Sequence, residues 1–223
     1  MRSTDTHTLI RARSVLPLIG RSGFRLGGLI IALLISISLS AQTTDRDLFD
    51  AYLNEDMTVW KAYVDTVHHT PYTLHYEYGY CGYIVAEAKK TGNETLMEQA
   101  KQYVRDFKSE IINLKSQMPA GHYEMYSSAV LVYELRTKQS VHPIKSMSLA
   151  KKATELAPND PIVLSYYGTC LFYAPAPFGD KRKALSWFER AEPLFQDSVY
   201  RYSWLKEANA MYIRQCLEKI KKH

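Results

Sequence analysis

The feature that most constrains this chain is a spacing of apolar and small residues that recurs about every 39 positions. Leu164, Tyr167, Gly168 and Leu171 share one helical face, and Met125, Ser128, Ala129 and Val132 hold the same places one period earlier. Ala184, Phe188 and Ala191 form a second face, preceded at nearly the same period by Ser146, Ala150 and Ala153. A period of this size is the mark of stacked helical hairpins, in which each unit buries its apolar face only against its neighbours. Tyr78, Cys81, Gly82 and Val85 begin a first, longer unit ahead of the second, with Ala100, Val104 and Phe107 in its second helix. Trp204, Ala208 and Met211 repeat the first-helix pattern once more, one period after Leu164, Gly168 and Leu171.

The signals for chain reversal fall between these faces. Gly92 fits the end of a helix over about 72–90, and Asn93 caps one over about 94–117. A second pair is expected over about 123–135 and 144–156, with Ser140 or His142 as cap and Pro143 in the first turn. Asp160 and Pro161 open a third pair, which Ala174-Pro-Ala-Pro-Phe-Gly-Asp180 splits. Ahead of the repeats, Phe49, Tyr52, Leu53, Met57, Trp60, Tyr63 and Val64 form one stripe, predicting a single helix over about 46–67. A last helix, expected over about 198–221 with Ser198 as its cap, turns polar at Glu218-Lys-Ile-Lys-Lys-His223, as befits the end of a stack. Strand-like alternation is absent, so the expectation is all-α.

The segment 1–41 reads differently. Arg2, Arg11, Arg13, Arg21 and Arg25 stand there against Asp5 alone, accounting for four of the chain's five net positive charges. The nearly neutral remainder argues against a nucleic-acid partner, which requires a basic patch. After the arginines, Leu29 to Ser40 is apolar and ends in small residues at Ala41-Gln42. This order is that of a secretory signal peptide over 1–41, leaving a mature helical domain over 42–223. Uncleaved, the same segment would be the chain's membrane anchor, although spanning takes about 20 apolar residues. With no cysteine at the junction, a lipid anchor is not supported. Cys81, Cys170 and Cys216 are too few and too widely spaced for a disulfide framework or a zinc site. They read as small buried hydrophobes, with one disulfide as the alternative.

With the repeat laid out, the chain resembles tetratricopeptide-repeat proteins over about 72–215. The family's large residue followed four later by Gly or Ala is met by Leu164 and Gly168, Met125 and Ala129, and Trp204 and Ala208. Its Ala-x-x-x-Phe-x-x-Ala is met by Ala184, Phe188 and Ala191, and Pro158 falls at its inter-repeat proline. The units exceed the usual period of about 34. The Pro-Ala-Pro-Phe-Gly loop is an insertion like one in exported repeat proteins of Gram-negative bacteria. The resemblance implies a right-handed superhelix of antiparallel hairpins, with an N-terminal helix, a C-terminal capping helix, and small residues where the helices of a hairpin cross.

It also implies a concave groove lined by first helices. On that template the groove carries Tyr76, Tyr83, Glu87, Tyr123, Tyr126, Tyr133, Glu134, Phe172 and Tyr173, with Phe178 projecting from the inserted loop or plugging the space between helices. Such tyrosines offer flat apolar faces plus hydroxyls, suited to a protein or peptide partner or, alternatively, a glycan. The competing reading is a second core layer. Tyr83, Tyr126 and Tyr133 are expected to be partly exposed. The family's clamp for a peptide C-terminus is not supported, because Gly79, Tyr83, Tyr126, Val130, Ser165 and Thr169 stand where its Lys and Asn residues belong. His68, His69 and His75 straddle a turn without partners at ligand spacing and read as a solvated turn. The chain has neither a catalytic signature nor a phosphate loop, so no cofactor, metal or enzymatic role is expected. The reading is an exported interaction module of the periplasm or cell envelope.

Overall fold

The computed structural model describes residues 45–139 and 142–221. The expected signal segment and its junction at Gln42, and Ser140 as a helix cap, lie outside the described residues. Among those described the secondary structure is entirely helical. The elements are α1 (45–53), α2 (Met57–Val64), α3 (Leu74–Thr91), α4 (Glu94–Leu114) with a 3-10 turn Lys115–Gln117, α5 (His122–Arg136), α6 (Pro143–Leu156), α7 (Pro161–Tyr173), α8 (Lys181–Leu194) and α9 (Trp204–Lys221). No helix of the described residues is long and apolar enough to cross a membrane.

Local chemistry sets most boundaries where the sequence places them. Asn93 accepts the Leu96 amide at 3.0 Å and Gly92 ends α3 in the left-handed region, at φ 66°. Asp160 and Asp180 cap α7 and α8 through the amides two and three residues on. Three expectations need correction. The N-terminal stripe is two helices, because Glu55 adopts φ 58° and Asp56 caps a fresh start by accepting from Thr58 and Val59. His142 precedes α6 without capping it through its side chain. Ser198 closes a turn onto the Tyr200 amide, and α9 begins only at Trp204.

The helices pair as α3–α4, α5–α6, α7–α8 and α8–α9, while α3 also meets α5, α5 meets α7, and α7 meets α9. The first helices of successive hairpins therefore form an inner layer, with α4, α6 and α8 outside. Gly168 sits at a crossing within the third hairpin: a Cβ there would lie 2.8 Å from Phe188 Cε1. Phe188 is fully buried and stacked on Tyr212 at 5.2 Å, so its ring has nowhere to withdraw. Gly82 serves a different contact, since its missing Cβ makes room for the Tyr133 hydroxyl of the next unit's first helix.

The two ends of the described chain are tied together by Asp45. Its carboxylate accepts the Trp204 amide at the start of α9 and the Tyr76 hydroxyl of α3, each at 2.9 Å. Burial pushes this carboxyl up to about 6, outweighing the two hydrogen bonds that lower it. The folded chain thus holds a proton that the unfolded chain, at 3.8, has already released. The stabilisation is full below the unfolded value and is lost as pH rises through about 6.

Two outcomes are expected. Gly168→Leu should lower stability by about 1–3 kcal/mol through overpacking, read from thermal or denaturant unfolding. Melting curves of Asp45→Asn should show the wild type gaining stability relative to the variant as pH falls through the window between the two Asp45 values, with no such gain above it.

Candidate functional site

The inner layer lines a half-open cavity of about 720 Å³. Each of four helices contributes one stripe at three- and four-residue steps: His75, Tyr78, Gly79, Gly82, Tyr83, Ala86, Glu87 and Lys90 from α3; Met125, Tyr126, Ala129, Val132, Tyr133 and Arg136 from α5; Ile162, Ser165, Tyr166, Thr169, Cys170 and Tyr173 from α7; Trp204, Leu205, Ala208, Met211, Tyr212 and Gln215 from α9. Tyr52, Leu53 and Glu55 at and after the end of α1, Leu135 of α5, Pro143, Ser146 and Met147 of α6, and Ala174 and Pro175 after α7 complete the wall. Ala86, Ala129 and Ala208 are small residues of the wall, whereas the space beside Gly79 and Gly82 is taken up by the Trp60 and Trp204 rings and by the Tyr133 hydroxyl. From His75 to Lys90 the α3 stripe runs roughly 22 Å at 1.5 Å per residue.

The rings form two groups, one around Tyr78 and Trp204 and one around Tyr212. Tyr78 stacks on Tyr133 at 6.1 Å and on Trp204 at 6.4 Å, and meets Tyr166 edge-on at 5.9 Å. Tyr52 approaches both Tyr83 and Trp204, and Tyr173 meets Tyr212 edge-on at 5.9 Å. Four polar atoms on wall residues are buried without a protein partner: His75 Nε2, the Tyr83 and Tyr126 hydroxyls, and Trp204 Nε1. Unpartnered buried polar groups are rare in native folds, and four of them belong to residues of this wall, set behind its accessible surface.

Burial dominates the wall's titratable groups. It holds the His75 imidazole neutral, pushing it down to about 3. The Nδ1 of that ring hydrogen-bonds to the Tyr72 carbonyl at 2.7 Å, so Nδ1 carries the proton and Nε2 the lone pair. Burial pushes the Cys170 thiol and the Tyr83 phenol up to about 12, and it raises Tyr78, Tyr126, Tyr133, Tyr166 and Tyr212 further. Cys81, Cys170 and Cys216 are all free thiols, so the disulfide alternative is not realised. Among the described residues no three His, Cys, Asp or Glu side chains gather as a metal would require.

Of the groove residues expected from sequence, Tyr83, Glu87, Tyr126, Tyr133 and Tyr173 line the cavity. The others lie elsewhere. Tyr76 turns to Asp45 and packs edge-on against Tyr63. Tyr123 lies under Lys115, and Glu134 pairs with Lys108 at 2.8 Å. Phe172 is buried against Tyr212 and covered by Lys181 and Lys219. Phe178 projects from its loop, 52% exposed, and plugs nothing. The expected partial exposure is also corrected, since Tyr126 is 0% exposed and Tyr83 and Tyr133 only 6%. Rings so covered pack as a second core layer, the competing reading of the sequence, although they border the cavity. Nor is His75 part of a solvated turn. It is buried in the first turn of α3, while His69 pairs with Glu77 at 3.1 Å.

The sequence reading misses Tyr52, Tyr78, Tyr166, Trp204, Tyr212 and Arg136. Their signal is the stripe of rings one helical position from the chosen one, with small residues between. Tyr78 falls on a place that the hairpin template reserves for a seam.

No protein-family model and no curated protein sequence matches the chain. Among solved structures, the fold is similar to that of the HusA haemophore from Porphyromonas gingivalis, at 15% sequence identity and a TM-score of 0.53. The match covers 82% of this chain and 93% of that one. At this identity the likeness is one of fold, an all-helical stack of hairpins.

The burial of these rings separates two alanine variants. Tyr126→Ala should cost roughly 3–5 kcal/mol, as for other large buried aromatics. Tyr173→Ala, whose ring is 54% exposed, should stay within about 1 kcal/mol in the same denaturant titration.

Proposed function

We propose that this protein is a non-enzymatic, exported binding protein that carries a planar, largely apolar small molecule of tetrapyrrole size in the cavity between α3, α5, α7 and α9. The observation that carries this reading is the cavity itself. Its volume of about 720 Å³ lies in the range of small-molecule sites, and its wall is aromatic with a few unpartnered polar atoms. Ring faces on several sides suit a flat, polarisable body, which buries much area against them at little entropic cost. The similarity of fold to a haemophore points to haem as the first molecule to try. The buried titratable groups of the wall support binding over chemistry, because an acid–base catalyst needs a pKa near the working pH. The stack is tetratricopeptide-like in this reading, and the segment over 1–41 directs its export.

A peptide or protein partner, the occupant that an open groove implies, is supported by the length of the α3 stripe. The partial cover that α1 and α9 give the cavity, with rings on several sides, favours the small molecule. A glycan fits less well, since its stacking platforms should be open to solvent.

Titration with ferric haem tests this through its Soret band and through quenching of Trp204 in the wall. A saturable one-to-one complex is expected. Ala86→Trp places a large ring at an exposed point of the wall and should abolish that complex while leaving the circular dichroism spectrum unchanged. Binding that the variant does not weaken, or no binding at all, would count against the cavity as the site.

A further inference from the structure

Four charged side chains border the cavity: Glu55, Glu87, Lys90 and Arg136. Lys90 is ion-paired with Glu55 and lies 3.8 Å from Glu87, so it answers both carboxylates and the trio keeps a net negative charge. Glu134, two residues before Arg136, is engaged by Lys108 on the other side of the helix. Arg136 is thus left without an acidic partner among the described residues. It is half-buried at the end of α5, on the same stripe as Tyr133 and Val132. Cations are favoured at a helix C-terminus in general, but that preference does not aim them inward. Here Arg136 lines the same cavity as Tyr52, Tyr78 and Tyr133, and its charge eases the ionisation of all three phenols against the larger effect of burial. A planar fork of donors at the edge of an apolar cavity is the chemistry that receives a carboxylate.

Resting on the binding reading above, we infer that Arg136 anchors an acid group of the bound molecule, so that the cavity selects flat amphipathic carboxylates with the acid at the Arg136 end. The apolar body lies among the rings, and the charge is met by the one wall cation that no carboxylate of the described residues neutralises. A fully apolar body would leave that cation partly desolvated and unpaired, which is costly.

The experiment compares ferric protoporphyrin with its dimethyl ester, in which both acids are blocked, on the wild type, Arg136→Gln and Arg136→Lys. The wild type is expected to bind the free acid at least about tenfold more tightly than the ester. Arg136→Gln should lose that preference by weakening the acid alone, and Arg136→Lys should retain part of it. Equal binding of acid and ester by the wild type overturns the role of Arg136 while leaving the binding reading intact. The role is equally overturned if Arg136→Gln weakens both ligands to the same extent. Failure of the wild type to bind either porphyrin overturns both.

Discussion

Gly79 lets two indole rings meet, and the partial cover of the cavity depends on that meeting. A Cβ at Gly79 would lie 2.6 Å from Trp204 Cζ2 and still closer to Trp60. With only hydrogen there, Trp60 and Trp204 approach edge-to-face at 5.0 Å over the α3 backbone. Trp60 is fully buried and also donates its Nε1 hydrogen to the Tyr76 carbonyl at 2.9 Å. An aromatic pair of this geometry contributes about 0.5–1.5 kcal/mol beyond the area it buries. Asp45 reinforces the junction from the neighbouring helix. Together these contacts draw the N-terminal helices and α9 onto α3, so that a trough along the inner layer becomes a half-open chamber.

That junction also explains which parts of the architecture can be read from the sequence. The hairpins, their order and most of their caps depend on contacts within one or two turns, or between adjacent units. Asn93, Asp160, Asp180 and Gly168 therefore carry their meaning locally. The closure instead joins Asp45 to Trp204, near opposite ends of the described chain. No period records a contact of that span. The expected groove includes Tyr76 and Tyr123 because a template of stacked hairpins has an open inner face and nothing packed over its start. Once α1, α2 and α9 are added, Tyr76 belongs to the junction, and Tyr78 and Tyr126 belong to the chamber. A broken N-terminal helix is equally hard to foresee, since Asn54-Glu55-Asp56 interrupts an otherwise continuous apolar stripe.

The hairpins brace one another through buried polar contacts that keep the inner layer in register. His122 Nε2 lies 2.9 Å from Asp160 Oδ2, joining α5 to the cap of α7. Ser128 donates to the Ser146 carbonyl and accepts from the Tyr166 hydroxyl, linking α5, α6 and α7 at one point. Tyr133 donates to the Tyr78 carbonyl at 3.0 Å, tying α5 back to α3 beside Gly82. A chamber walled by separate helices keeps its shape only if their axial positions are fixed, and directional bonds do this better than apolar packing alone.

The use of tyrosine in the wall follows from the same geometry. Phenylalanine would supply the same faces but not the hydroxyls, whose hydrogens Tyr133 and Tyr166 give to the Tyr78 carbonyl and to Ser128. Burial raises the phenols of Tyr78, Tyr126, Tyr133 and Tyr166, so each remains an uncharged hydroxyl across the ordinary pH range. His75 is kept neutral and Cys170 protonated by the same desolvation. The deep part of the chamber is thus polarisable and able to hydrogen-bond, yet uncharged, and its charged side chains come from the other end of the α3 and α5 stripes. In the binding reading proposed above, an amphipathic guest resolves such a gradient by placing its apolar body among the rings and its acid beside Arg136. The burial that suppresses acid–base chemistry in the wall therefore also orients what the wall can hold.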